Sequence, residues 1–310
     1  MWEKLGNIYD PTNRNSRPRH EKLLTHAANP LPVWIEGDVY RIFYNGRDSA
    51  QRSSVGAVDI DILTGRIVED YFEPIFTNGP EEAYFADGVS IGNIYRVEND
   101  CFILFMGWKL FSEGGWRGEV GRLAVGRDLS LTLDGSDRQP FLSCDDIDPI
   151  SISYPWVSNF GESDFRLWYG STVTWMADNG EMIHTLRSAK SNDGHKWHKD
   201  RYELPFVKGV AQAFSRPTVA KNCDGSYDMW FSYRGAAGTK YRIGHAYSFD
   251  ASEWHLNLDK AIDVSQSGWD SEMIEYPYVF DHKGTRYMLY CGNSYGKTGF
   301  GLARHLVPII

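Results

Sequence analysis

Two carboxylates stand in sequence settings suited to proton transfer: Asp87 in FADGVS and Glu275 in EMIEYPYV. Glu275 lies two residues before Pro277, at the opening of an alternating apolar segment. Asp87 falls close to the same place in another copy of the same pattern, immediately before Gly88. If the two face each other across a pocket, one can protonate a leaving oxygen while the other activates water or attacks carbon, as cleavage of a glycosidic bond requires. A separation of about 6.5–9.5 Å implies inversion through an intervening water, and about 5–5.5 Å implies retention. The structural alternative is that Asp87 accepts turn amides and that Glu275 only hydrogen-bonds sugar hydroxyls or a neighbouring arginine.

Basic residues form a second constellation. Arg47, Asp48 and Arg52 follow one aromatic segment, Arg234 follows another at the equivalent position, and Arg216 opens the copy that contains Arg234. A guanidinium presents a planar fork matched to carboxylate or phosphate, so an acidic sugar, a sugar phosphate or inorganic phosphate is the ligand these groups would hold. Alternatively, Arg47 pairs with Asp48 or braces an adjacent sheet. Tyr154, Tyr276 and Trp108 can stack on sugar faces or fill space between sheets. His26, Asn29 and Ser215 complete the substrate-binding candidates, His26 as proton donor or hydroxyl ligand, while Trp269 and Asp270 shape the loop that carries Glu275. There is no glycine-rich phosphate loop, GxSxG elbow or HExxH helix. Cys101, Cys144, Cys223 and Cys291 show neither CxxC pairing nor zinc-ligand spacing, so reduced thiols and no metal or cofactor are expected.

Positioning these residues requires a repeated scaffold, and the chain contains one. A Pro-x-Val-like opening, a Gly or Asp turn, an aromatic strand, a Gly-x-Ala strand and a final Trp- or Pro-bearing strand recur. The anchors are Pro30, Gly88, Pro155, Pro217 and Pro277, at intervals of 58, 67, 62 and 60 residues, enough for four short strands and their turns. Apolar residues alternate within the middle strands, as at Tyr40, Ile42 and Tyr44 or Phe165, Leu167 and Tyr169, which buries one face of each sheet. The fifth copy stops after its third strand, at Gly299–His305. Residues 2–11, WEKLGNIYDP, form an orphan outer strand resembling GRIVEDYFEP. The expectation is an all-β, five-bladed β-propeller of four-stranded blades, one domain over residues 1–310, its fifth blade closed by the N-terminal strand so that no edge is left unpaired.

With the Pro-x-Val openings, SNDGHKW, SFDASEW and WDSEMIEYPYV in view, the chain resembles the five-bladed glycosidase-like propellers, the superfamily of glycoside hydrolase families 43, 32, 68 and 130. The resemblance spans essentially the whole chain. The S-x-D-G-x-x-W pattern is also similar to sialidase Asp boxes, but sialidases use six blades. Family 43 places a carboxylate base at the start of blade one and a Glu acid in blade three, whereas these openings here read Ala28-Asn29-Pro30 and Ser153-Tyr154-Pro155. That catalytic assignment therefore does not transfer.

An acidic balance, 41 Asp and Glu against 32 Lys and Arg, argues against nucleic acid as a partner. No apolar run reaches the roughly 20 residues of a membrane span, and the N-terminus lacks a signal-peptide core, so a cytoplasmic protein without membrane insertion is expected. Together these features predict a glycosidase-like enzyme, hydrolytic or phosphorolytic, whose substrate is a small glycoside, an oligosaccharide or an activated sugar, anionic if the arginines bind it. The alternatives are a catalytically silent sugar-binding propeller and a transferase component of glycan or glycolipid assembly.

Overall fold

In a computed structural model that describes residues 1–12, 18–111, 114–260 and 262–307, the chain is almost entirely strand. The strands, in order, are β1 (Trp2–Tyr9), β2 (Thr25–Glu36), β3 (Val39–Arg47), β4 (Ser53–Asp61) and β5 (Arg66–Asp70); β6 (Gly88–Val97), β7 (Asp100–Leu110), β8 (Trp116–Val125) and β9 (Leu131–Leu133); β10 (Ile152–Gly161), β11 (Asp164–Thr174), β12 (Ile183–Ser191) and β13 (His198–Glu203); β14 (Ala213–Lys221), β15 (Tyr227–Arg234), β16 (Arg242–Ser248) and β17 (His255–Leu256); and β18 (Glu275–His282), β19 (Thr285–Cys291) and β20 (Phe300–His305). Among the described residues, helix is confined to single turns at Glu21–Leu23, Leu258–Lys260 and Asn293–Gly296.

The strands form consecutive antiparallel meanders: β2 to β5, β6 to β9, β10 to β13 and β14 to β17, followed by β18 to β20 with β1 as the outer strand. Single parallel bridges, Ser53 to Gly88 and His184 to Ala213, join the first meander to the second and the third to the fourth. The innermost strands pack against one another in the sequence β2, β6, β10, β14, β18, and β18 packs against β2 again. β1 pairs antiparallel with β20, so the last meander is completed by the other end of the chain. Apolar side chains fill the space between sheets, among them Ile42, Phe105, Leu167, Phe231 and Leu289, none of which is exposed.

One backbone irregularity recurs on the inner strands. Register breaks between Ala28 and Leu31, Ser153 and Trp156, Ser215 and Thr218, and Glu275 and Tyr278. Each break spans an X-Pro pair, and the residue before proline is left-handed: Asn29 at φ 53°, Tyr154 at 43°, Arg216 at 48° and Tyr276 at 55°. The matching bulge in β6 lies between Ile91 and Ile94, over Gly92-Asn93, where no proline marks it. Anchored there, the repeat intervals become 63, 62, 62 and 60 residues, more even than those measured through Gly88. This corrects the expected register: the counterpart of Glu275 on β6 is Ile91, and Asp87 lies four residues earlier.

Closure of the last meander depends on a close backbone approach. Gly299 is left-handed at φ +85°, and a Cβ there would stand 1.9 Å from the Tyr9 carbonyl oxygen. Gly209 is also left-handed, at +81°, but a Cβ there meets nothing within 4 Å. Gly299→Ala is therefore expected to cost about 3 kcal/mol or more, and Gly209→Ala about 1–2 kcal/mol, in chemical denaturation. Equal costs would show that β1 docks more loosely than described.

Candidate functional site

The bulges determine what reaches the axis. A left-handed residue inside a strand turns its side chain out of the ordinary alternation, and the proline after it fixes the next φ. Where these inner strands begin, a cavity of about 340 Å³ opens, and Asn29, Tyr154 and Tyr276 from three of the bulges line it. Asn45, Arg47, Trp108, Trp116, His184, Ser215, Arg234, Tyr241 and Tyr295 complete much of its wall. A larger cavity, about 730 Å³, lies beside Trp2, Asp228 and His245 and is lined by none of the residues nominated from sequence.

Glu275 lies behind this wall: its neighbour Tyr276 lines the cavity, and Glu275 itself does not. It is fully buried, and neither carboxylate oxygen has a hydrogen-bond partner. Burial raises its pKa well above the usual 4.5, and the charges of Arg47 and Arg234 pull it only part of the way back. Its protonated form is therefore favoured, against the opposing pull of the two guanidinium groups. Its charge is also felt by Tyr154, Tyr241, Tyr276 and Tyr295, whose own pKa values are raised first by burial.

The arginines divide into two kinds. Arg47 and Arg234 occupy the same register position, each two residues beyond the β3 or β15 partner of the residue that precedes the bulge. Arg234 donates to Glu181 Oε1 at 2.8 Å and lies over the Tyr241 ring. Arg47 is half-buried in the cavity wall, and among the described residues no carboxylate lies within 4 Å of it. Its guanidinium makes a long 3.5 Å approach to Gln51 Oε1. Arg216 is 1% exposed and lies outside the cavity lining. It donates to the Pro30 carbonyl at 2.8 Å and the Tyr276 carbonyl at 3.3 Å, tying β14 to β2 and β18, and burial lowers its pKa to about 10.

Other nominated residues are occupied by the fold. Asp48 Oδ1 accepts the amides of Ala50 and Arg52, and its Oδ2 pairs with Arg52 Nε at 2.8 Å, so Asp48 and Arg52 shape a turn behind Arg47. Asp87 Oδ2 accepts the Leu110 amide at 2.8 Å at the end of β7, and Asp87 does not line the cavity. His26 is buried with Nδ1 on Thr25 Oγ1 at 2.9 Å; burial, then Arg47 and Lys297, lower its pKa to about 4, which keeps it neutral. Ser215 Oγ and Asn29 Oδ1 are buried without partners at the cavity wall. Tyr154 donates its hydroxyl to that of Tyr276 at 3.2 Å.

Sequence inspection missed His184. It lines the cavity from β12, held between Ser153 Oγ at 2.7 Å and Thr172 Oγ1 at 2.8 Å, and burial lowers its pKa to about 3. The sequence carries only a lone His in IHTL, with nothing to mark its partners. Tyr241 and Tyr295 were missed as well, because both lie outside the inner strands. Among the described residues, no group of three or more His, Cys, Asp or Glu side chains is placed to hold a metal ion.

The buried acid makes stability depend on pH in a definite direction. A group whose folded pKa is raised contributes fully below its unfolded value, here about 4.5, and that contribution is lost as pH rises through the folded value. Glu275→Gln removes the titration. The variant is expected to be more stable than the parent at pH 7 to 8 and equal to it near pH 4, measured by urea denaturation across pH. A variant destabilised at every pH would mean that the carboxyl is charged and paired in the fold.

No family model matches the chain. Two proteins of Mycobacterium tuberculosis, "Uncharacterized protein MT1551" and "Uncharacterized protein Rv1502", are each 42% identical over 305 residues, covering 97% of this chain and 98% of theirs. Among solved structures, a glycosyl hydrolase from Bacteroides ovatus superposes with a TM-score of 0.71 at 10% identity, over 100% of this chain and 97% of the other. A thermostable family-43 glycoside hydrolase superposes with a TM-score of 0.65 at 12% identity, over 90% and 88%. By sequence the chain belongs to the family of the two mycobacterial proteins, and its fold is similar to that of these solved glycoside hydrolases, a family-43 enzyme among them.

Proposed function

We propose that the chain is a single-domain, five-bladed propeller enzyme that cleaves a glycosidic bond, with Glu275 as the proton donor and Arg47 and Arg234 as the seat of an anionic group. One observation carries this reading: a fully buried carboxyl without hydrogen-bond partners, raised in pKa, lies behind the cavity wall next to Tyr276 and within electrostatic reach of Arg47 and Arg234, which line it. Structural roles account poorly for such a group, because leaving a buried polar atom unpaired costs about 1–3 kcal/mol. A carboxyl whose protonated form is favoured is what departure of a sugar oxygen requires. The return of β18 to β2 and the meander order support five blades and one domain.

Among the described residues, the cavity lining contains no Asp or Glu. Asp87 is engaged by the Leu110 amide and Glu181 by Arg234, and Glu275 lies behind the lining, so no carboxylate stands at the cavity surface to activate water. An anion held by Arg47 and Arg234 can supply the nucleophile itself. With inorganic phosphate, a phosphate oxygen bonds to the anomeric carbon, the bond to the leaving oxygen breaks, and the Glu275 proton passes to that oxygen. Phosphorolysis of this kind needs one acid and no protein base. The same lack of a second carboxylate favours, as the other reading, a propeller that binds a sugar without turning it over.

A panel of aryl glycosides assayed with and without inorganic phosphate separates the two. Phosphate-dependent turnover is expected, with Glu275→Gln losing about 10²–10⁴-fold in kcat. Arg47→Gln is expected to raise the KM for phosphate by about tenfold or more, and Asp87→Asn to change kcat by less than about tenfold. Turnover that ignores phosphate and collapses in Asp87→Asn would restore a two-carboxylate hydrolytic mechanism.

A further inference from the structure

The cavity wall is chemically divided. The first and fourth meanders contribute Arg47 and Arg234, with the unpartnered Asn29 Oδ1 and Ser215 Oγ beside them. The second and third contribute Met106, Trp108, Leu110, Trp116 and Met182. The polar groups on that side are the Ser90 hydroxyl, the indole N–H groups of Trp108 and Trp116, the Tyr154 hydroxyl, already donated to Tyr276, and His184, whose ring nitrogens are both taken by Ser153 and Thr172. Beyond these few donors, this half offers burial of apolar surface rather than hydrogen bonds.

The apolar half continues outward from Leu110 and Trp116. Leu110 pairs with Trp116 across β7 and β8, and the Phe111 amide closes the following turn on the Gly115 carbonyl. Trp116 meets Trp175 edge to face at 5.0 Å between ring centroids, and Met176 follows Trp175. Leu110 is 61% exposed, Phe111 44% and Met176 71%. Single exposed apolar side chains are ordinary, but a run continuous with a cavity wall is a feature of binding sites.

We propose that the ligand of this cavity is amphipathic: an anionic head group between Arg47 and Arg234, joined to an unbranched apolar chain that leaves over Leu110, Phe111, Trp116, Trp175 and Met176. This rests on the anion-binding part of the proposed function alone, with the ligand's own head group taking the seat there given to inorganic phosphate. The head is fixed by charge and the chain by burial of methylenes, so the two contributions are separable by changing chain length alone.

Alkyl phosphates supply the probe, because they carry the anion and the chain without requiring the sugar to be known. Binding of inorganic, methyl, butyl, hexyl and octyl phosphate to the full-length protein, below the micelle concentration, is measured by calorimetry. Affinity is expected to rise roughly twofold to fourfold per methylene. The octyl-to-methyl affinity ratio is expected to fall by about tenfold or more in Leu110→Ser/Phe111→Ser, and binding of every member is expected to weaken in Arg47→Gln. Because the ratio is taken within one protein, a general loss of folding does not imitate the result. Methyl phosphate binding with no dependence on chain length overturns this proposal and leaves the anion site standing. A chain-length dependence unaffected by either variant places the ligand elsewhere and also overturns it. Failure of every phosphate to bind overturns the anion site and this inference together.

Discussion

An inner strand that must deliver a side chain to a shared axis cannot do so by regular pleating alone, and the bulge before proline is how this chain meets that constraint. Asn29, Tyr154, Arg216 and Tyr276 each sit in the left-handed region, where a non-glycine residue costs about 1–3 kcal/mol. Such conformations persist only when the surroundings over-determine them. Here the following proline restricts one side, and the ladder resumes within two residues on the other. Arg216 adds a cross-axis tie, since its guanidinium donates to Pro30 and Tyr276, a residue from each of two other bulges. The strained positions are thus braced against one another across the centre of the molecule.

The electrostatics of the site follow from that bracing. Arg216 is buried without a carboxylate and satisfies two carbonyls, so it does not neutralise Glu275. Arg234 is committed to Glu181, and Arg47 is half-buried with no carboxylate partner among the described residues. The nearest cations therefore moderate the Glu275 shift without abolishing it, and desolvation wins. Had Arg47 approached closely enough to pair, the carboxyl would be ionised and unable to give up a proton. A guanidinium without a carboxylate partner, near a carboxyl whose protonated form is favoured, leaves both groups uncommitted to each other.

Much of the scaffold was legible because it repeats. Proline before an alternating aromatic strand marks the bulge in four meanders, and the orphan segment at residues 2–11 revealed the partner of β20. The copy without proline was misregistered for the same reason: Gly88 resembled an anchor, while the bulge fell on Gly92-Asn93, where Asn93 makes its own cross-sheet bonds to the Val157 backbone. Equivalence of Arg47 and Arg234 survived because it depends on strand pairing that is the same in both sheets. Glu275 was visible as a carboxylate at a strand opening, but its isolation from every donor is a three-dimensional fact. The involvement of Asp48 and Asp87 in backbone amides, and the seating of His184 between two hydroxyls, are likewise invisible to residue spacing.

The division of the cavity has the same geometric origin. Residues two positions beyond the β3, β7, β11, β15 and β19 partners of the pre-bulge residues are Arg47, Gly107, Thr172, Arg234 and Asn293. The charge therefore falls on the first and fourth sheets, which flank the one carrying Glu275. Gly107 withholds a side chain at this level on the second sheet, and a Cβ there would collide with Tyr84. Thr172 on the third is spent on His184. What remains exposed on those two sheets is the indole, thioether and leucine surface one layer further out. Two arginines and an apolar surface are consequently arranged around one cavity with Glu275 behind its wall, and a ligand that met only one of these sides would leave buried polar atoms or apolar surface without a partner.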